Sequence, residues 1–62
     1  MSPEETYTLF QRGCALLSQR HYHQAAMVLE QARQKEPDKA SIREALGIAY
    51  LRIQRYEEAE EE

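Results

Sequence analysis

Apolar residues recur at helical spacing in three blocks along the chain. In the first block Leu9, Gly13, Leu16 and Phe10, Cys14, Leu17 form two adjacent stripes, each spaced i, i+4, i+7. Such a helix needs contacts on two sides. Ser2, Pro3 and Glu5 supply a capping hydroxyl, a first-turn proline and the reciprocal Glu of a capping box, which predicts a helix from about residue 3 to about Ser18. The polar stretch Ser18-Gln19-Arg20-His21 interrupts the pattern. Tyr22, Ala25, Leu29 and Ala32 resume it and predict a second helix ending near Lys35. Pro37 cannot continue that helix and pushes Glu36 toward an extended conformation, with Asp38 as a cap for the next element. A third helix is predicted from about Lys39 to Gln54. Its apolar residues Ala45, Leu46, Ile48, Ala49, Tyr50, Leu51 and Ile53 cover most of the circumference, so it is expected to be surrounded. After Arg55 the sequence Tyr-Glu-Glu-Ala-Glu-Glu-Glu begins another helical pattern. The expectation is an all-α chain of three helices plus the start of a fourth.

Size sharpens this picture. A chain of 62 residues buries only about 60% of the surface it exposes when unfolded, and each ordered residue costs on the order of 1.5 kcal/mol. The core is therefore marginal. One Cys forms no internal disulfide, so stability is expected to come from neighbouring repeats, a second copy or a bound partner. Charge is 8 basic against 11 acidic, and five of the acids are Glu57, Glu58, Glu60, Glu61 and Glu62. The remaining residues 1–56 hold 8 basic against 6 acidic, with no basic face and no interleaved aromatics, so nucleic-acid binding has no electrostatic basis. Met-Ser-Pro-Glu-Glu is not a signal peptide, and the longest apolar run, Ile48 to Leu51, is too short for a membrane span. With a free thiol, these features lead to an expected cytoplasmic location.

Candidate chemistry is sparse. His21 and His23 are two residues apart and would point away from each other on a helix, so both are read as solvated turn residues. Cys14 lies in an apolar stripe with no His in phase, which suits a small packing residue. Glu4/Glu5 and Glu57/Glu58 sit at expected helix starts, where carboxylates offset the dipole. Gly13 and Gly47 are isolated within helices and form no phosphate cradle. No catalytic, cofactor-binding or metal-binding residue is assigned, and no enzymatic activity is expected.

Aligning the sequence with itself at an offset of 34 pairs residues 6–28 with 40–62. The identical pairs are Gly13/Gly47, Ala15/Ala49, Leu17/Leu51, Tyr22/Tyr56 and Ala25/Ala59. A small residue within the helix permits close helix approach, and a Tyr opening the next helix with an Ala one turn later suits a tight hairpin crossing. With Leu16, Leu29, Ala32 and Pro37 in the first unit and Leu46 and Tyr50 in the second, the chain resembles the tetratricopeptide repeat, a helix-turn-helix unit of 34 residues. It departs from that pattern at Arg12, where a Leu is usual, and at Leu9 and Arg43, where a larger apolar residue is expected. The resemblance implies one domain over residues 1–62, an α-solenoid fragment with a first repeat at about 6–39 and a partial second at about 40–62. The second unit stops before counterparts of Leu29 and Ala32. The expectation is the N-terminal part of a longer array, with a solvated acidic tail as the competing reading.

In such arrays the first helix of each unit lines a concave groove. Carried over residue by residue, the resemblance implies a partner-binding surface of Tyr7, Phe10, Cys14, Leu17, Glu44, Ile48 and Leu51, with Arg52 and Lys39 as rim charges. The partner expected there is an extended peptide or a helix. Phe10, Cys14 and Leu17 are equally suited to completing a core against a further helix or a second copy. Relatives that hold the C-terminal carboxylate of chaperones carry a Lys and Asn pair where this chain has Phe10 and Cys14, and Glu44 and Ile48 in the second unit. No such recognition is expected. Two further readings stand beside the groove: self-association through the third helix at Leu46, Gly47, Tyr50 and Ile53, and recruitment of substrate for a larger enzyme.

Overall fold

A computed structural model describes residues 3–61 of the chain. Three helices are arranged in order along it, α1 (Pro3–Ser18), α2 (Tyr22–Lys35) and α3 (Ala40–Glu61). Ser2, the expected capping residue of α1, lies outside the described residues. Pro3 is tolerated at the start of α1 because its missing N–H would have had no helical acceptor, and Glu4 and Glu5 face the positive end of the dipole.

The turn between α1 and α2 is closed by backbone hydrogen bonds. The His21 N–H donates to the Leu16 carbonyl at 2.9 Å and the Arg20 N–H to the Leu17 carbonyl at 3.0 Å, with Arg20 at φ 67°. This is a Schellman ending in which an arginine holds the left-handed position usually given to glycine. α2 then begins without a side-chain cap. Its other end turns at Glu36, whose N–H donates to the Ala32 carbonyl at 3.0 Å. Asp38 does not cap α3. The capping position is one residue later, at Lys39, whose carbonyl accepts the Arg43 N–H at 3.3 Å before α3 begins at Ala40.

The core lies where the three helices meet. Ala25, Leu29 and Ala32 of α2 face Ile42, Ala45 and Leu46 of α3, with Leu9, Phe10, Leu16 and Leu17 of α1 partly buried against them. Small residues let α1 and α2 approach closely. A Cβ on Gly13 would stand 2.5 Å from Cγ of Leu29.

One expectation is corrected. Residues 55–61 do not start a fourth helix but extend α3 without a turn. In the first unit, holding Arg20 in the left-handed region costs about 1–2 kcal/mol. Burial of Ala25, Ala26, Leu29 and Ala32 along α2 offsets that cost. Gln54 is the counterpart of Arg20, and residues 54–59 are all exposed, so a second turn would have nothing comparable to bury. Arg52, Gln54, Arg55, Glu57 and Glu58 are good helix formers, and continuation wins. The Gln54 side-chain amide donates to Glu58 at 3.4 Å across one helical turn. The third helix is also less enclosed than its composition suggests. Ile42, Ala45, Leu46 and Ala49 are buried, whereas Ile48, Tyr50 and Leu51 are about half exposed.

Candidate functional site

Large apolar side chains remain at the surface of α1 and α3, and two of them, Tyr7 and Ile48, each border a shallow depression. Tyr7 and Phe10 border the first, of about 360 Å³, together with Thr6, Glu36, Lys39 and Ile42. Tyr7 is 62% exposed while Phe10 is half-buried against the core. Cys14, Leu17 and Ile48 border the second, of about 500 Å³, with Arg20, Tyr22 and Arg52 at its edge. Lys39 and Arg52 therefore stand one beside each depression. Glu44 and Leu51 are exposed and border neither. Helical spacing puts them opposite buried Ile42, Ala45 and Ala49, on the side of α3 that points away from the core.

The expected self-association residues divide differently. Leu46 is only 4% exposed and belongs to the core, so it offers no surface to a partner, and its place in that set is corrected. It points inward because it lies one turn from Ile42, on the stripe that faces α2. Gly47 is exposed, with nothing within 4 Å of where a Cβ would stand. Ile53 is half-buried near His23 and Tyr56. Tyr50 is 49% exposed, and its hydroxyl is occupied.

That hydroxyl donates to Glu30 Oε1 at 2.9 Å, while Arg33 Nη2 donates to Glu30 Oε2 at 2.8 Å. The Arg33 and Tyr50 hydrogen bonds hold the Glu30 carboxyl below its ordinary value of 4.5. The same carboxylate raises the Tyr50 hydroxyl above 10.0 by favouring its protonated form, and it raises Arg33 as well. Glu30 thus ties α2 to α3. Sequence reasoning missed this contact, although the i, i+3 pair Glu30/Arg33 was visible in the second helix. A second tie joins the far ends of α1 and α2, where Lys35 Nζ donates to Glu5 at 3.3 Å.

Among the described residues the other candidates for chemistry are Cys14, His21 and His23. Cys14 is a free, half-buried thiol. His21 sits at the start of α2 and His23 within its first turn, both exposed, so only His21 is a turn residue. Among the described residues no group of three or more His, Cys, Asp or Glu could hold a metal ion. None of the described helices is long and apolar enough to cross a membrane.

The sequence profile of the tetratricopeptide repeat matches residues 10–62. No curated protein and no solved structure matches the chain. Repeats of this kind are generally protein–protein interaction units and typically non-catalytic. The match takes in α2, α3 and most of α1, and the three helices are arranged as one hairpin followed by the first helix of the next unit. The chain belongs to the tetratricopeptide repeat family.

Proposed function

We propose that the chain is a non-enzymatic module that binds a peptide or a helix of another protein on the apolar surface of α1 and α3. The observation that carries this reading is the exposure of Tyr7 beside half-buried Phe10 and of Ile48 beside half-buried Cys14 and Leu17, on helices whose other faces are already used by the core. Apolar side chains left in water on a rigid scaffold gain free energy when a partner covers them, about 25 cal/mol for each Å² removed from solvent. Lys39 and Arg52, one at each depression, adjust which partners approach and how fast. A cytoplasmic location and a place in a longer array fit the same role.

A displayed library of random peptides tests it. Peptides enriched on the intact chain should lose binding to a Phe10→Glu variant and keep it with Tyr50→Glu, because Tyr50 lies on the α2 side of α3. Equal loss with both variants, while helicity is retained, would sink the groove as the binding site.

Self-association through α3 is the second reading. It is favoured by the half-exposed Ile48, Tyr50 and Leu51 and by the open flank at Gly47.

A further inference from the structure

The side of α3 that points away from the core carries Glu44, Ile48, Leu51 and Arg55, spaced four, three and four residues apart. That spacing makes one stripe along the helix. All four are exposed, Ile48 at 50% and Leu51 at 47%. Neither Glu44 nor Arg55 has an ion-pair partner among the described residues.

This stripe complements itself in one orientation only. Two α3 helices laid antiparallel, with Ile48 of each against Leu51 of the other, bring Glu44 to Arg55 at both ends of the apolar contact. Laid parallel, the same stripe sets Glu44 against Glu44 and Arg55 against Arg55. Antiparallel packing also places the acidic end of each helix near the positive start of the other. The bare flank at Gly47 leaves room for the second helix to approach.

We propose that the outward face of α3 docks on the same face of a second copy as an antiparallel two-fold dimer, in the register that sets Glu44 of one copy on Arg55 of the other. The proposal rests on the protein-binding role argued above and names the occupant of the α3 half of that surface. It differs from pairing through Leu46, Tyr50 and Ile53, since those side chains are buried, partly buried or tied to α2. Four residues and their neighbours are far fewer than the roughly 20–30 a side of a lasting interface, so the dimer is reversible and concentration-dependent.

Sedimentation of the intact chain over a wide concentration range tests this, with helicity followed by circular dichroism. E44R and R55E should each weaken dimerisation by about tenfold or more, because every terminal contact becomes like-charged. Mixing the two variants should restore it in a heterodimer, since one chain then carries Arg at both positions and the other Glu. The double variant E44R/R55E should dimerise like the natural chain, and it supplies the answer if either single variant loses helicity. A natural chain that stays monomeric, a mixture that stays monomeric, or a double variant that fails to pair would each overturn the proposal. None of those results touches the binding role itself, which stands or falls on peptide binding by Phe10→Glu.

Discussion

Gly13 and Leu29 meet so closely that the glycine's missing side chain is what lets α1 rest on α2: a Cβ there would stand 2.5 Å from both Cγ and Cδ2 of a leucine that is fully buried. Its counterpart in the second unit, Gly47, faces open space. The same substitution should therefore act in opposite directions at the two positions. Gly13→Ala forces Leu29 or the helix axes to move and should cost about 1–3 kcal/mol. Gly47→Ala meets nothing and replaces a poor helix former in a helix interior, and should add about 0.5–1 kcal/mol. Urea unfolding of both variants checks this, and a destabilised Gly47→Ala would mean that its flank is already covered in solution.

Arg20 holds a left-handed backbone at φ 67° where the first hairpin turns. Arg20→Gly should raise stability by up to about 1 kcal/mol, because glycine adopts that conformation without a Cβ penalty. Arg20→Val should lower it by a similar or larger amount. Thermal unfolding of the pair provides the measurement, and an unchanged midpoint for both would show that the turn relaxes out of this conformation.

The Glu30 contact makes stability depend on pH at both ends of the scale. Glu30 is held below 4.5 in the folded chain, so its contribution is present above that value and is lost as pH falls through the lower folded value. Tyr50 is raised above 10.0, so its contribution is present below that value and is lost as pH rises through the higher folded value. Tyr50→Phe should cost about 0.5 kcal/mol near neutrality, the low end for a net hydrogen bond, because the pair is partly solvated. The difference between Tyr50→Phe and the natural chain should shrink in acid and in strong base. Chemical denaturation across the pH range checks both limbs.

A peptide ending in a free acidic carboxylate should bind no better than its amide. The two groove positions that would have to grip such a group are Phe10 and Cys14 in the first unit, with Glu44 and Ile48 in the second, so it would meet no paired cation and one repelling charge. Titration calorimetry with the acid and the amide settles the comparison, and affinity lost on amidation would contradict it.

The helices and most of the core could be read from spacing alone, because Tyr22, Ala25, Leu29 and Ala32 leave no other face for α2 to bury. The break between α2 and α3 could be read from Pro37. Two features were not legible. The end of α3 was misread because the matching Tyr22/Tyr56 and Ala25/Ala59 pairs argue for a turn, whereas a turn forms only if the helix beyond it finds something to bury. That Glu44 and Leu51 border neither depression was not legible, because family resemblance assigns residues to a groove by register. It says nothing of how far Glu44 and Leu51 swing round the helix. Thr6 and Ile42, both buried, extend the apolar stripes one turn toward the helix starts, in phase with Leu9 and Phe10 and with Ala45 and Leu46.

The long, uncovered end of α3 sets how this chain comes apart. From Gln54 to Ala59 every side chain is exposed, and α3 has no basic residue in its last turn to balance its negative pole. Warming should therefore unravel the helix from that end inward, giving a sloping loss of helical signal before the cooperative collapse of the interior. Added electrolyte should flatten the slope by shielding the crowded carboxylates, and leave the later step where it was.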